Sequence, residues 1–110
     1  MNCTIEEKDG YSFLNIEGRM DLAASLLLEK KLSELVKGGN KRLFVSLANV
    51  EYLSSAGLRF LLHAAGQYQS MSGFFAIIKV QRNILEIVRV GGFEKMLPIF
   101  PNEQEALQHS

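Results

Sequence analysis

Residues 41–50, KRLFVSLANV, form a short and nearly continuous apolar run. A half-exposed strand would alternate apolar with polar residues. This run does not, so as a strand it asks to be covered on both faces. GFFAIIKV at 73–80 makes the same demand. Both runs are followed by helical patterning, and that pairing points to strands joined by crossover helices in a sheet with a parallel part.

The flanking segments extend this order. CTIEEKDGYSFLNIEG alternates apolar and polar around Asp9-Gly10, a hairpin signal that predicts antiparallel strands over Cys3–Glu7 and Tyr11–Glu17, with Gly18 ending the second. Asp21 then precedes LAASLLLEKKLSELVKGG, where Leu28, Leu32, Leu35 and Val36 define one stripe and Lys30, Lys31, Glu34 and Lys37 fall away from it. Asp21 is placed to cap this helix, and Gly38-Gly39 to stop it. LRFLLHAAGQYQS predicts a second helix burying Leu58, Leu61, Leu62, Ala65 and Tyr68. QRNILEIVRVGG predicts a shorter third helix, and MLPIF a last short strand. Asn102 with Glu105 three residues later opens a terminal helix. The order ββαβαβαβα implies a single α/β domain over residues 1–110. Its mixed sheet has an N-terminal antiparallel hairpin, then parallel strands, packed with about four helices.

Composition narrows the function. The chain has 110 residues and is 47% hydrophobic, enough for one cored domain. Its 12 basic residues balance 12 acidic ones, which argues against a nucleic-acid binder, since that would carry a clustered basic excess. Cys3 is the one cysteine, and His63 and His109 lack ligand spacing, so no metal or other cofactor is expected. The N-terminus lacks signal-peptide patterning, and no apolar run approaches the roughly 18 residues of a spanning helix. A cytoplasmic protein without membrane insertion is the expectation.

The stretch Tyr52-Leu53-Ser54-Ser55-Ala56-Gly57-Leu58-Arg59 places two hydroxyls at a helix start. A helix cap needs one serine, not two, and does not ask for Ala56 and Gly57. A nucleophile would want flanking glycines in a G-x-S-x-G elbow and a nearby histidine. Neither is supplied, because His63 lies more than two turns further on and His109 is near the terminus. A third use is covalent modification. A phosphate there would sit where helix amides and dipole favour negative charge, and would add about −1.5 to −2 charges. Gly57 would let the helix approach the sheet, or let a partner approach the serine. On a helical wheel, Phe60 falls opposite the predicted stripe, beside His63, Ala64 and Gln67. That marks a partner surface, unless the first helix packs over it or it is a tolerated exposed apolar residue. Arg59 is placed either to pair with a phosphate or to stand as a solvated charge.

VSLANVEYLSSAGLRFLL resembles the signature of the STAS family, the domain of bacterial anti-sigma factor antagonists, and GRMDLAAS resembles its earlier G-x-x-D segment. The resemblance spans essentially the whole chain and implies a small α/β binding module that is not an enzyme. It implies that the unphosphorylated domain binds an anti-sigma factor with serine/threonine kinase activity, that this kinase phosphorylates Ser55, and that a metal-dependent serine phosphatase reverses the step. It places Asp21, Ser54, Ser55, Ala56 and Gly57 in the contact region, with Arg59 and Phe60 added from the wheel. Ser54 stands where many members carry aspartate and is a candidate second acceptor. Ser46 stands where many carry an acid, a loss expected to remove charge near the site. Competing readings are a STAS adaptor in another signalling circuit, the cytoplasmic STAS subunit of a lipid-transport ABC system, and a small hydrolase acting through Ser55.

Overall fold

The structure is a computed structural model that describes residues 1–109. Its elements run β1 (Asn2–Lys8), β2 (Tyr11–Met20), α1 (Leu22–Lys37), β3 (Arg42–Leu53), α2 (Ser55–Ser70), β4 (Phe74–Ile78), α3 (Arg82–Val90), β5 (Ile99–Phe100) and α4 (Glu103–Gln108). The expected order is found. The sheet order is β1-β2-β3-β4-β5, with β1 antiparallel to β2 and the remaining pairs parallel.

The hairpin turn is made by Asp9 and Gly10, whose φ values of 54° and 83° are both positive. Two such residues match the right-handed twist of the flanking strands, so Lys8 meets Tyr11 directly. One sheet face carries Leu14, Ile16, Leu43, Val45, Leu47 and Ile77 into a core closed by α1, α2 and α3. The other face holds Phe44, Ala76 and Ile78 under Ala106 of α4. There Phe13 stacks on Phe44 at 4.7 Å between ring centroids, a contact that lets the short α4 suffice as cover.

Three expectations need correction. Gly18 does not end β2. The strand continues to Met20, and Gly18 takes a φ of 96° beside a register shift. The pairing Gly18↔Val50 is followed by Arg19↔Tyr52, and Asn15↔Ser46 by Glu17↔Asn49, so β3 carries one extra residue each time. These are β-bulges, and the N-cap and first turn of α3 take carbonyls of this stretch, which runs past the end of β4. Gln81 Nε2 donates to the Ala48 carbonyl at 2.9 Å, and Asn83 Nδ2 to the Glu51 carbonyl at 3.2 Å.

The second correction concerns α2, which buries Gly57, Phe60, Leu61, Ala64 and Tyr68. Phe60 is 1% exposed and belongs to the core, not to a partner surface. Leu58, Leu62 and Ala65 are half-buried at the flank of that core. The buried face is therefore rotated by about one residue's turn, ~100°, from the one that side-chain hydropathy selects. Gly57 explains the error, because a glycine adds nothing to a hydropathy stripe yet here defines the line of closest approach. Third, Ser46 pairs with Asn15 and Ile78 in the middle of the sheet, away from the serine pair. An acid missing at Ser46 therefore removes no charge from the helix start.

The far end of α2 is tied by a polar chain. The Tyr68 hydroxyl donates to Asn40 Oδ1 at 2.6 Å, Asn40 Nδ2 donates to Ser12 Oγ at 2.6 Å, and Ser12 Oγ donates to the Glu7 carboxylate at 2.8 Å. Burial pushes the Tyr68 phenol up from 10.0 to about 12. Because the folded value lies above the unfolded one, the contribution is whole below about pH 10 and is lost as pH rises to about 12. Tyr68→Phe should cost about 1–2 kcal/mol near neutral pH, because Asn40 loses its donor. In urea titrations across the alkaline range, the advantage of wild type over the variant should disappear between those two values. A constant difference would show that the phenol does not carry it.

Candidate functional site

Parallel pairing sets Met20, the last residue of β2, beside Leu53, the last of β3. Each strand then turns at once into a helix, so the N-termini of α1 and α2 open side by side at one end of the sheet. Asp21 caps α1 as expected, with Oδ1 accepting from the Ala24 amide at 2.9 Å. Ser54 caps α2, its Oγ accepting from the Gly57 amide at 3.1 Å. The same hydroxyl donates to the Met20 carbonyl at 2.6 Å, and the Ser54 amide donates to that carbonyl at 3.0 Å. Both hydrogen-bonding roles of the Ser54 hydroxyl are thus occupied, and the residue is half-buried.

Ser55 is the first residue of α2 and is exposed. Its hydroxyl has no hydrogen-bond partner among the described residues. The amides of Ser55 and Ala56 likewise meet no acceptor there, as the geometry of a helix start dictates. The two serines therefore divide the work that the sequence left undivided: one builds the helix, and the other is not needed for it. The occupied, half-buried hydroxyl of Ser54 argues against a second acceptor at that position.

Gly57 faces the sheet. A Cβ placed on it would stand 2.7 Å from the Met20 carbonyl oxygen, 2.8 Å from Leu53 Cδ1 and 2.9 Å from Met20 Cβ. Of the two uses expected of Gly57, close approach of helix to sheet is the one realised, and the residue is buried. Ala56 remains half-exposed beside Ser55. Arg59 lies one helical turn beyond Ser55 on the outer side and is exposed, without a partner among the described residues. Arg19 and Tyr52, a cross-strand pair just before the helix starts, form a cation–π contact at 4.0 Å, which sequence reasoning missed. A basic and an aromatic residue on adjacent parallel strands leave no mark in a single sequence until the register is known.

The histidine nearest Ser55 in sequence is engaged elsewhere. His63 Nδ1 pairs with Glu29 of α1 at 2.8 Å, more than two turns away along α2. Among the described residues, no group of three or more His, Cys, Asp or Glu side chains is placed to hold a metal ion. No helix there is long and apolar enough to cross a membrane.

The approach at Gly57 can be tested directly. Gly57→Ala forces a methyl against backbone that cannot yield without moving α2, and should cost about 1–3 kcal/mol in urea unfolding. A neutral or stabilising effect would mean that α2 is free to lift from Met20.

Comparison with known proteins identifies the family to which this fold belongs. The STAS domain family matches residues 2–106. BtrV of Bordetella bronchiseptica is 29% identical over 106 residues, covering 96% of this chain and 90% of that protein. The anti-sigma-F factor antagonist RsfB of Mycobacterium tuberculosis is 27% identical over 104 residues, covering 94% of this chain and 84% of RsfB. The Bacillus cell fate determinant SpoIIAA in its phosphorylated form superposes with a TM-score of 0.73 at 14% identity, over 98% of each chain, a likeness of fold alone. With the family matched over nearly its full length, and the predicted order of strands and helices found, this chain belongs to the STAS domain family.

Proposed function

We propose that this protein is an anti-sigma factor antagonist that works by partner switching in the cytoplasm. Unmodified, it binds an anti-sigma factor that is also a serine/threonine kinase. Phosphorylated on Ser55, it is released, and a metal-dependent serine phosphatase restores it. The observation that carries this reading is the spare hydroxyl: Ser55 is exposed at the first turn of α2 while Ser54 alone does the capping. The name of the relative RsfB, an anti-sigma-F factor antagonist, supports the choice of partner.

The chemistry is passive on this side of the exchange. The kinase transfers the γ-phosphoryl group of ATP to the Ser55 oxygen, releasing ADP and the hydroxyl proton, and this chain supplies only a nucleophilic oxygen that the fold can spare. Once attached, the phosphate lies beside the free amides of Ser55 and Ala56 and the positive end of the α2 dipole, so the folded domain tolerates it. A partner that had closed over the same surface would have to bury that charge, which weakens the complex. Asp21 lies at the neighbouring helix start, where the partner would meet it together with Ser55, Ala56 and Arg59.

The test is reconstitution with the kinase partner from the same host. Incubation with ATP should give one phosphate, located by mass spectrometry on Ser55 and not on Ser54. Ser55→Ala should bind the partner and resist release. Ser55→Asp should bind more weakly by about 2 kcal/mol or more, roughly 30-fold, the scale of an unpaired charge buried at an interface. If both variants bind like wild type, the start of α2 lies outside the interface. Recovery of transporter subunits instead of a kinase from the native host would favour the lipid-transport reading.

A further inference from the structure

The carboxyl ends of β4 and β5 carry a feature that the switching site does not use. Between α3 and these two strands lies a groove of about 550 Å³, within the roughly 300–1,000 Å³ of small-molecule sites. It exists because β5 has only two residues, with Pro98 before it and Pro101 after it, so the sheet ends before α3 is fully covered. The floor is apolar: Leu97 is buried, while Val80, Leu85 and Ile99 are left half-buried. Three cations stand at the rim. Arg89 is already paired, its Nε donating to Glu94 at 3.2 Å. Lys79 and Lys95 are exposed and have no acidic partner among the described residues.

Lys79 is also held in the left-handed region, with φ at 59°. A long side chain rarely occupies that region, where glycine or asparagine would sit without strain. The strand thus ends in a conformation that a glycine would serve better, yet a lysine stands there and brings an ammonium to the mouth of the groove. Such an outlier beside a cavity points to use.

We propose that this groove is a binding site for a small amphipathic anion: an apolar chain or ring lying on Val80, Leu85, Leu97 and Ile99, with one negative head group between Lys79 and Lys95. The apolar floor offers nothing to a sugar or a second charge, and with Arg89 tied to Glu94 the two lysines match one negative head group better than a polyanion. The site shares no residue with the start of α2, so it stands whether or not Ser55 is phosphorylated.

The test uses octanoate as the charged probe and 1-octanol as its neutral match, read by amide chemical shifts of the full chain. Octanoate below its micelle concentration should give saturable shifts concentrated at residues 79–85 and 95–100. Octanol should bind about fivefold more weakly or worse, the scale of a solvent-accessible charge pair. Lys79→Gly, which keeps the backbone conformation, combined with Lys95→Glu should reduce octanoate to the affinity of octanol. Lys95→Glu alone, on an exposed turn, serves if the double variant does not fold, and should weaken octanoate while leaving octanol unchanged. Absence of saturation, shifts centred elsewhere, or equal binding of the two probes would each overturn the proposal.

Discussion

The carbonyl oxygen of Met20 is the point on which the site depends. It accepts the amide and the hydroxyl of Ser54 together, and it lies 2.7 Å from where a side chain at Gly57 would begin. Those contacts lock the end of β2 to the start of α2 across a chain separation of more than thirty residues. They also decide which serine is structural. With Ser54 turned inward, Ser55 is carried outward by the ordinary rotation of about 100° per helical residue.

Much of the fold was legible because local chemistry and tertiary demand agree here. Asp9-Gly10 turns, Asp21 caps, and Asn102 accepts from the Glu105 amide, each as its residue type requires. The two unbroken apolar runs are the two strands covered on both faces. What was hidden belongs to relations between elements. The phase of α2 was misjudged because its closest contact with the sheet is made by a glycine, which no hydrophobic count registers. Gly18 reads as a stop because a glycine in a strand serves equally as a break or beside a bulge, and only the partner strand distinguishes them. The division of labour between Ser54 and Ser55 was likewise invisible, since either serine satisfies the capping pattern until the end of β2 is placed.

The bulges in β3 have their own role in presenting the site. Beyond Ser46, β3 runs past the end of β4 and is paired on one side only, to β2. A two-stranded ribbon would be a poor platform by itself. Gln81 and Asn83 supply the missing edge by taking two of its carbonyls, and Arg19 over Tyr52 stiffens its exposed face. The helix starts therefore stand on a supported ledge.

Helix α2 is held at both ends, by Met20 at its start and through the hydroxyl of Tyr68 to Asn40 at its close. A rod pinned in this way has little freedom to slide or tilt in answer to a new group at its tip. A phosphate placed on the exposed first turn, as proposed, would be held as surface charge, with the interior unchanged. Under the proposed switching, its free energy would fall on the complex, while the unbound domain would stay equally well folded with or without the phosphate.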